Sequence, residues 1–197
     1  MRHPYILLCI LFFMLAACQQ EAKKADAEMT ETDYLEQGRQ IAQLSFSAVS
    51  TRLGKALEEG GVAKAIEYCN LNAIPIFDSL SLAHEVEIKR TSFQLRNPRN
   101  LPTVGERAAL KKYQDVIDAG NTPEPEVVLD EAGRRVFHAP IMIQPLCLKC
   151  HGVIGQDILD NDYQVIRSMY NIDRATGYSL GQLRGIWSIT FPPSDQE

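Results

Sequence analysis

The segment whose residue types and spacing most directly indicate chemistry reads Cys147-Leu148-Lys149-Cys150-His151. Two thiols separated by two residues can each add to one vinyl group of a porphyrin, and the histidine that follows can supply a nitrogen to the iron. The motif therefore predicts one covalently attached haem c. Cys147 and Cys150 are the predicted thioether positions, and His151 is the predicted proximal iron ligand.

Two other chemistries use the same pair of cysteines. A thioredoxin-like dithiol is found in a βαβ context and needs no histidine after the second cysteine. A structural zinc ion takes about four nitrogen or sulfur ligands. Outside the motif, and apart from Cys9 and Cys18 near the N-terminus, the chain offers for this purpose only Cys69 and three scattered histidines, and no second Cys-x-x-Cys pair. Haem attachment is the favoured interpretation.

The N-terminus predicts export of the chain. Arg2 and His3 precede an apolar run from Tyr5 to Leu15, which is typical of a signal peptide and too short to span a membrane. The run ends at Ala17 and Cys18, which looks like the lipidation site of a bacterial lipoprotein. Ordinary cleavage at a small residue, with the cysteine merely nearby, is the alternative.

We therefore expect a lipoprotein signal peptide at residues 1–17, lipid on Cys18, a tether at 18–32 and one domain at 33–197. The expected location is the periplasmic side, anchored to the membrane, with Gln19 favouring the outer membrane. Because bacteria attach haem c outside the cytoplasm, the signal peptide and the cysteine motif support each other.

The charge balance limits the classes of partner. The formal net charge is −5, and loss of the signal peptide removes one cation and no acid. A chain of this charge is not expected to bind nucleic acid or anionic lipid electrostatically. Contact with the membrane should therefore come from the N-terminal lipid only.

Helices are predicted in the first half of the domain. Apolar residues recur at helical spacing from Asp33 to Glu59, and Gly60-Gly61 should end that helix. A second helix follows, in which Val62, Ile66 and Cys69 share one face, so the Cys69 side chain should point toward the core.

Strands dominate the second half. Alternating or β-branched runs predict strands at residues 84–90, 126–129, 135–143 and 184–191, with a hairpin around Gly133. Thr103 and Glu106 form a capping-box pattern for a helix that runs to about residue 119. Helices followed by mostly antiparallel strands predict an α+β domain, in which N-terminal helices pack against an antiparallel sheet.

Four segments resemble the family of PAS-like c-type haem domains, which occur as exported proteins and as sensor domains of bacterial receptors. They are Glu67-Tyr68-Cys69-Asn70, the stretch 90–100 with Arg-Thr-Ser and Arg-Asn-Pro-Arg-Asn, the cysteine motif with Gly152, and the stretch 177–185. In the last stretch Gln182 replaces the acidic residue that is common in the family.

The resemblance implies a PAS-like fold and unusual iron coordination, with His151 on one side and the Cys69 thiolate on the other. Ferric iron would lower the pKa of the thiol, and the anionic sulfur would push the reduction potential down. A buried, unligated thiol is the alternative for Cys69. His138 and Met142, on the strand before the motif, are rivals for the sixth position, although strand packing is their expected role.

Arg90, Arg96 and Arg99 are predicted contacts of the haem propionates, since guanidinium pairs well with carboxylate. With both axial positions filled by the protein, we expect redox or gas sensing, or low-potential electron transfer to an exported partner protein. A haem enzyme with an open sixth site, peroxidase-like, is the alternative. No residue is singled out as catalytic.

Overall fold

The computed structural model describes residues 29–193, so the predicted signal peptide, Cys18 and most of the predicted tether lie outside the described residues. Within that range there are four α-helices and four strands. The helices are α1 (Glu31–His84), α2 (Val104–Asp118), α3 (Pro145–His151) and α4 (Asp160–Met169), and the strands are β1 (Glu87–Thr91), β2 (Glu126–Leu129), β3 (Arg135–Met142) and β4 (Leu183–Thr190).

Helix α1 consists of two helical segments joined at a glycine pair. Gly60 (φ −160°, ψ 21°) and Gly61 (φ 64°, ψ −158°) leave the helical region, which is where the sequence predicts the first helix to end. The positive φ of Gly61 lies in the left-handed region, which glycine adopts without steric cost. The glycine pair therefore lets the chain change direction between the two segments.

The strands form one antiparallel sheet in the order β1-β4-β3-β2. Strands β2 and β3 form the predicted hairpin, in which Gly133 takes a φ of 78° and Asp130 Oδ1 accepts hydrogen bonds from Ala132 N and Arg134 N. The α+β prediction is confirmed. The description of the fold as PAS-like remains a prediction.

The sheet separates two cores. On one face α1 packs against the sheet through buried side chains that include Ile41, Phe77, Phe137, Trp187 and Ile189. On the other face α2 packs against β4 through Ala109, Leu110, Tyr113, Leu183 and Ile186.

Local signals in the sequence explain where the shorter helices begin. Helix α2 starts with the predicted capping box, since Thr103 Oγ1 accepts a hydrogen bond from Glu106 N and Glu106 Oε2 accepts one from Thr103 N. Helix α4 packs on the second segment of α1 through Ile166 and Tyr170, which contact Val62 and Ile66.

Among residues 29–193, no helix has the length and apolar character needed to cross a membrane.

Candidate functional site

A cavity of about 280 Å³ lies between the middle of α1, the ends of β1 and β4, the segment 92–100 and helix α3. This volume is near the lower end of the range of about 300–1,000 Å³ for small-molecule sites. Phe46 and Leu146 line it and are 49% and 46% exposed, so part of the cavity wall lies at the surface.

Most of the site residues predicted from the sequence lie in the wall of this cavity. Its wall includes Cys69 from α1, Cys147, Cys150 and His151 from α3, and Arg90 and Arg96. The rest of the wall is largely apolar, with contributions from Val49, Leu53, Leu57, Ile66, Phe77, Ile141 and Trp187. Residues from distant parts of the sequence thus line the same cavity.

Helix α3 places the three motif residues on a single short helix. Pro145 stands in the first turn, where its missing N–H costs no hydrogen bond, and Gly152 ends the helix with its N–H donating to the Leu148 carbonyl. A Cβ on Gly152 would lie 2.4 Å from the Cβ of Asp157, so a larger residue would push the following loop away. The helix that carries the motif thus begins at Pro145 and ends before Gly152.

The imidazole of His151 is held by one hydrogen bond. Its Nδ1 lies 2.7 Å from the carbonyl oxygen of Ala175, and a carbonyl can only accept, so Nδ1 carries the proton. The pKa of His151 lies well below its usual value because of burial, and the nearby Arg184 and Arg96 lower it further. The ring is therefore neutral, and its Nε2 keeps a lone pair for a ligand.

All three cysteines of the cavity are free thiols. Burial raises the pKa of Cys150 to about 11 and also raises that of Cys69, although Arg90 and Arg96 oppose the increase at Cys69. A redox-active dithiol requires a thiol with a lowered pKa. Cys150 is therefore not the thiol that would supply a reactive thiolate.

The zinc alternative also lacks a ligand set in the described range. Residues 29–193 contain no group of three or more His, Cys, Asp or Glu side chains that could hold a metal ion. The cysteines and His151 are instead arranged around a space with apolar walls.

Arg90 supplies a cation that has no carboxylate within 4 Å among the described residues. Its guanidinium carbon lies 4.6 Å from the ring centre of Phe77 and 5.6 Å from that of Trp187. Burial lowers the pKa of Arg90 to about 10. An anion in the cavity would therefore find a cation with no competing partner.

Arg96 and Arg99 differ from Arg90. The side chain of Arg96 forms an ion pair with Asp173, with Nε 3.1 Å from Oδ1 and Nη2 3.2 Å from Oδ2. Arg99 is exposed on the short 3-10 turn Pro98–Asn100 and does not line the cavity. The propionate contacts predicted for these arginines remain predictions.

His138 and Met142 lie outside the cavity wall. Met142 packs with the α2-side core, and the main-chain carbonyl of His138 accepts a hydrogen bond from Tyr113 of α2. Since β3 alternates, Phe137 and Ala139 face α1 while His138 faces α2. The sheet thus stands between His138 and the cavity.

Three residues of the site are not found by the sequence analysis, namely Arg184, Tyr170 and Asp173. Strict alternation along β4 would put Arg184 on the α2 face, but a register shift between Ile141 and Met142 interrupts the pattern, and Arg184 lines the cavity. Tyr170 ends α4, and Asp173 is 77 residues from its partner Arg96. No local motif marks either one.

The fold and the site define a class: an α+β protein with a largely apolar cavity bounded by thiols, a neutral imidazole and arginines. A family model described as Tll0287-like matches residues 16–192, and the chain belongs to this Tll0287-like family.

A solved structure gives a second comparison. The chain is similar to the cyanobacterial heme-protein Tll0287, whose crystal structure it matches with a TM-score of 0.55 at 19% sequence identity over 100% of both chains. At this identity the likeness establishes the fold alone. No curated protein matches the chain.

Proposed function

We propose that this chain is an exported, lipid-anchored monohaem protein of the c type that acts in redox or gas sensing or in low-potential electron transfer. The haem is bound covalently at Cys147 and Cys150, and its iron is held by His151 and Cys69. The observation that carries the proposal is the meeting of these four residues in the wall of one cavity.

The chemistry of the donor set fits a haem. Two free thiols on one short helix match two vinyl groups, and a neutral imidazole with an available Nε2 matches the iron. Apolar walls suit a porphyrin, while Arg90 offers a cation to a propionate. Membership of the Tll0287-like family and the similarity to a cyanobacterial heme-protein point in the same direction.

Bound haem would supply a one-electron redox centre and, after release of one axial ligand, a site for a diatomic gas. Cys69 would favour the ferric state because a thiolate is an anionic ligand. Arg90 partly offsets that preference because its positive charge lowers the pKa of the same thiol. The charge of Arg90 is therefore expected to influence how tightly the sulfur is held after reduction.

The lipid anchor and the periplasmic location belong to the same proposal. They are supported by the apolar run and Cys18 alone, and a PAS-like sensory role is supported by the sequence resemblance. Mass spectrometry of the N-terminal peptide tests the anchor: we expect a lipid-modified Cys18 in the wild type and no lipid in Cys18→Ser. An unmodified Cys18 in the mature wild type would refute the lipid anchor.

The test of haem attachment is the intact mass of the chain after expression in a host that attaches haem c. We expect one haem per chain that resists extraction with acidified acetone, and its loss in the double variant Cys147→Ala/Cys150→Ala. Cys69→Ala is the matched control, because it removes a cavity thiol but keeps both attachment thiols. An unmodified wild-type mass would refute the proposal.

Carbon monoxide separates the two roles that the proposal includes. A sensor should bind the gas when it is reduced, with a shifted absorption spectrum, whereas a carrier should be reduced and reoxidised without a change of ligands. A high-spin resting spectrum with rapid reaction toward peroxide would favour the enzyme with an open sixth site.

A further inference from the structure

The segment that follows α4 wraps around the predicted haem motif. Its backbone forms two hydrogen bonds with the end of the motif, from Tyr178 N to the His151 carbonyl at 3.0 Å and from Gly177 N to the Gly152 carbonyl at 2.8 Å. The same segment supplies the Ala175 carbonyl that accepts from Nδ1 of His151 at 2.7 Å. The orientation of the imidazole therefore depends on where Ala175 is held.

Asp173 fixes Ala175 from inside the segment. Its side chain is fully buried, and Oδ1 accepts a hydrogen bond from Ala175 N at 2.9 Å. The peptide that carries the Ala175 N–H lies two residues from the carboxylate, so this bond closes a tight turn. Ala175 itself is 0% exposed, so this turn lies in the interior of the protein.

Arg96 links the turn to the motif. Its guanidinium forms a two-point ion pair with Asp173. Nη2 also donates to the Cys150 carbonyl at 2.5 Å and lies 3.4 Å from the Ala175 carbonyl, which can only share one of its two protons. A planar guanidinium can bind a carboxylate at two points and donate to a carbonyl at the same time in one fixed geometry, which a compact ammonium does not offer. One side chain thus connects the helix of the motif with the turn that orients His151.

We infer that Arg96 and Asp173 act together as positioning residues for His151, holding the Ala175 carbonyl so that the imidazole proton stays on Nδ1 and Nε2 remains free for the iron. This inference rests on the proposed function and assigns Arg96 a role other than a propionate contact. Hydrogen bonds of this kind fix the tautomer of a ligating histidine and raise its basicity.

Arg96→Lys and Asp173→Asn test the inference. Lysine keeps the positive charge but loses the planar two-point donor geometry of the guanidinium. Asparagine keeps the shape of aspartate but loses its negative charge. Asp130→Asn is the matched control, because Asp130 forms a similar pair with Arg134 in the β2–β3 turn, and neither residue lines the cavity. Should Asp173→Asn fail to fold, Arg96→Lys alone decides.

The first readout uses the haem-free full-length chain, in which the ¹⁵N chemical shifts of the His151 ring report the position of its proton. We expect a single Nδ1–H tautomer in the wild type and in Asp130→Asn, and a mixture of tautomers in both site variants. A single tautomer in both site variants would overturn the inference, even if their thermal stability falls.

The second readout is the midpoint potential of the matured proteins. A less basic imidazole stabilises ferric iron less, so we expect a higher potential in both site variants and no shift in Asp130→Asn. A shift in Asp173→Asn but not in Arg96→Lys would mean that only charge matters, and would overturn positioning. If the wild type takes up no haem, the proposed function fails, and the tautomer measurement still decides the inference.

Discussion

At the scale of single residues, the environment of Cys69 combines two opposing effects. Burial disfavours the thiolate and raises its pKa, while the positive charges of Arg90 and Arg96 lower it. Of these cations, Arg96 is paired with Asp173, whereas Arg90 has no carboxylate partner among the described residues. Arg90 is therefore the side chain best placed to stabilise an anionic sulfur.

Replacing Arg90 should make the Cys69 thiol less reactive. In the haem-free chain, Arg90→Leu removes a nearby cation and raises the pKa of Cys69, so alkylation should slow by about tenfold for each pKa unit gained. The rate can be followed by mass spectrometry with iodoacetamide near pH 8. Arg99→Leu, at an exposed position outside the cavity wall, is the control and should leave the rate unchanged. Equal rates for all three proteins would contradict this role of Arg90.

How far single residues can be predicted depends on how local their signals are. Cys147, Cys150 and His151 lie within five residues, so their spacing alone indicates a shared chemistry. For Cys69 the helical periodicity predicts only that the side chain points toward the core, and its role as an iron ligand is what the family resemblance implies. Asp173 could not be found in this way, since its partner is 77 residues away and the loop that carries it has no repeating pattern.

At the scale of elements, the close approach of α1 to the sheet depends on Gly38. A Cβ built there would lie 2.3 Å from Cγ of the Phe137 ring, which is itself fully buried. Because Gly38 has no side chain, the first segment of α1 can pack directly on Phe137 of β3. Residues further along the same helix line the cavity. A larger residue would have to separate the helix from the sheet.

Gly38→Ala should therefore lower the free energy of unfolding by about 1–3 kcal/mol, as over-packing of a core commonly does. Gly54→Ala in the same helix is the control: a Cβ there meets no atom within 4 Å, and alanine should raise stability by about 0.5–1 kcal/mol. Urea unfolding of the two variants measures both effects. A stabilised Gly38→Ala would show that α1 is not held this closely to the sheet.

The elements themselves were largely predictable because periodicity and caps are local. The capping box at Thr103 and the break at Gly60-Gly61 both occur where the sequence places them. The register shift between β3 and β4, which leaves Arg184 unpaired on β4, was not predictable, since it arises from pairing between strands that are about 40 residues apart. That shift is the reason why Arg184 reaches the cavity.

At the scale of the whole molecule, the sheet separates a cavity on the α1 side from a packed core on the α2 side. His138 belongs to the second core, 3% exposed, and its Nδ1 has no hydrogen-bond partner among the described residues. Burial lowers the pKa of His138, although the nearby Glu126 and Glu106 oppose the shift. The folded protein therefore keeps this ring neutral at a pH where the unfolded chain binds a proton.

The stability of the fold should fall as the pH drops below about 6.5, where an unfolded histidine takes up its proton. The loss attributable to His138 is at most about 1.4 kcal/mol per pH unit, and it should disappear in His138→Leu. Urea unfolding between pH 5 and pH 8 measures the slope. An equal slope in the variant and the wild type would mean that His138 is protonated in the folded state as well.

The most direct test of the proposed haem site is the EPR spectrum of the matured ferric protein, recorded beside that of Cys69→Ala. Ligation by His151 and Cys69 predicts a low-spin thiolate signal in the wild type that is lost in the variant, while haem remains covalently attached in both. An unchanged spectrum in Cys69→Ala, or a high-spin signal already present in the wild type, would contradict the proposed ligand pair.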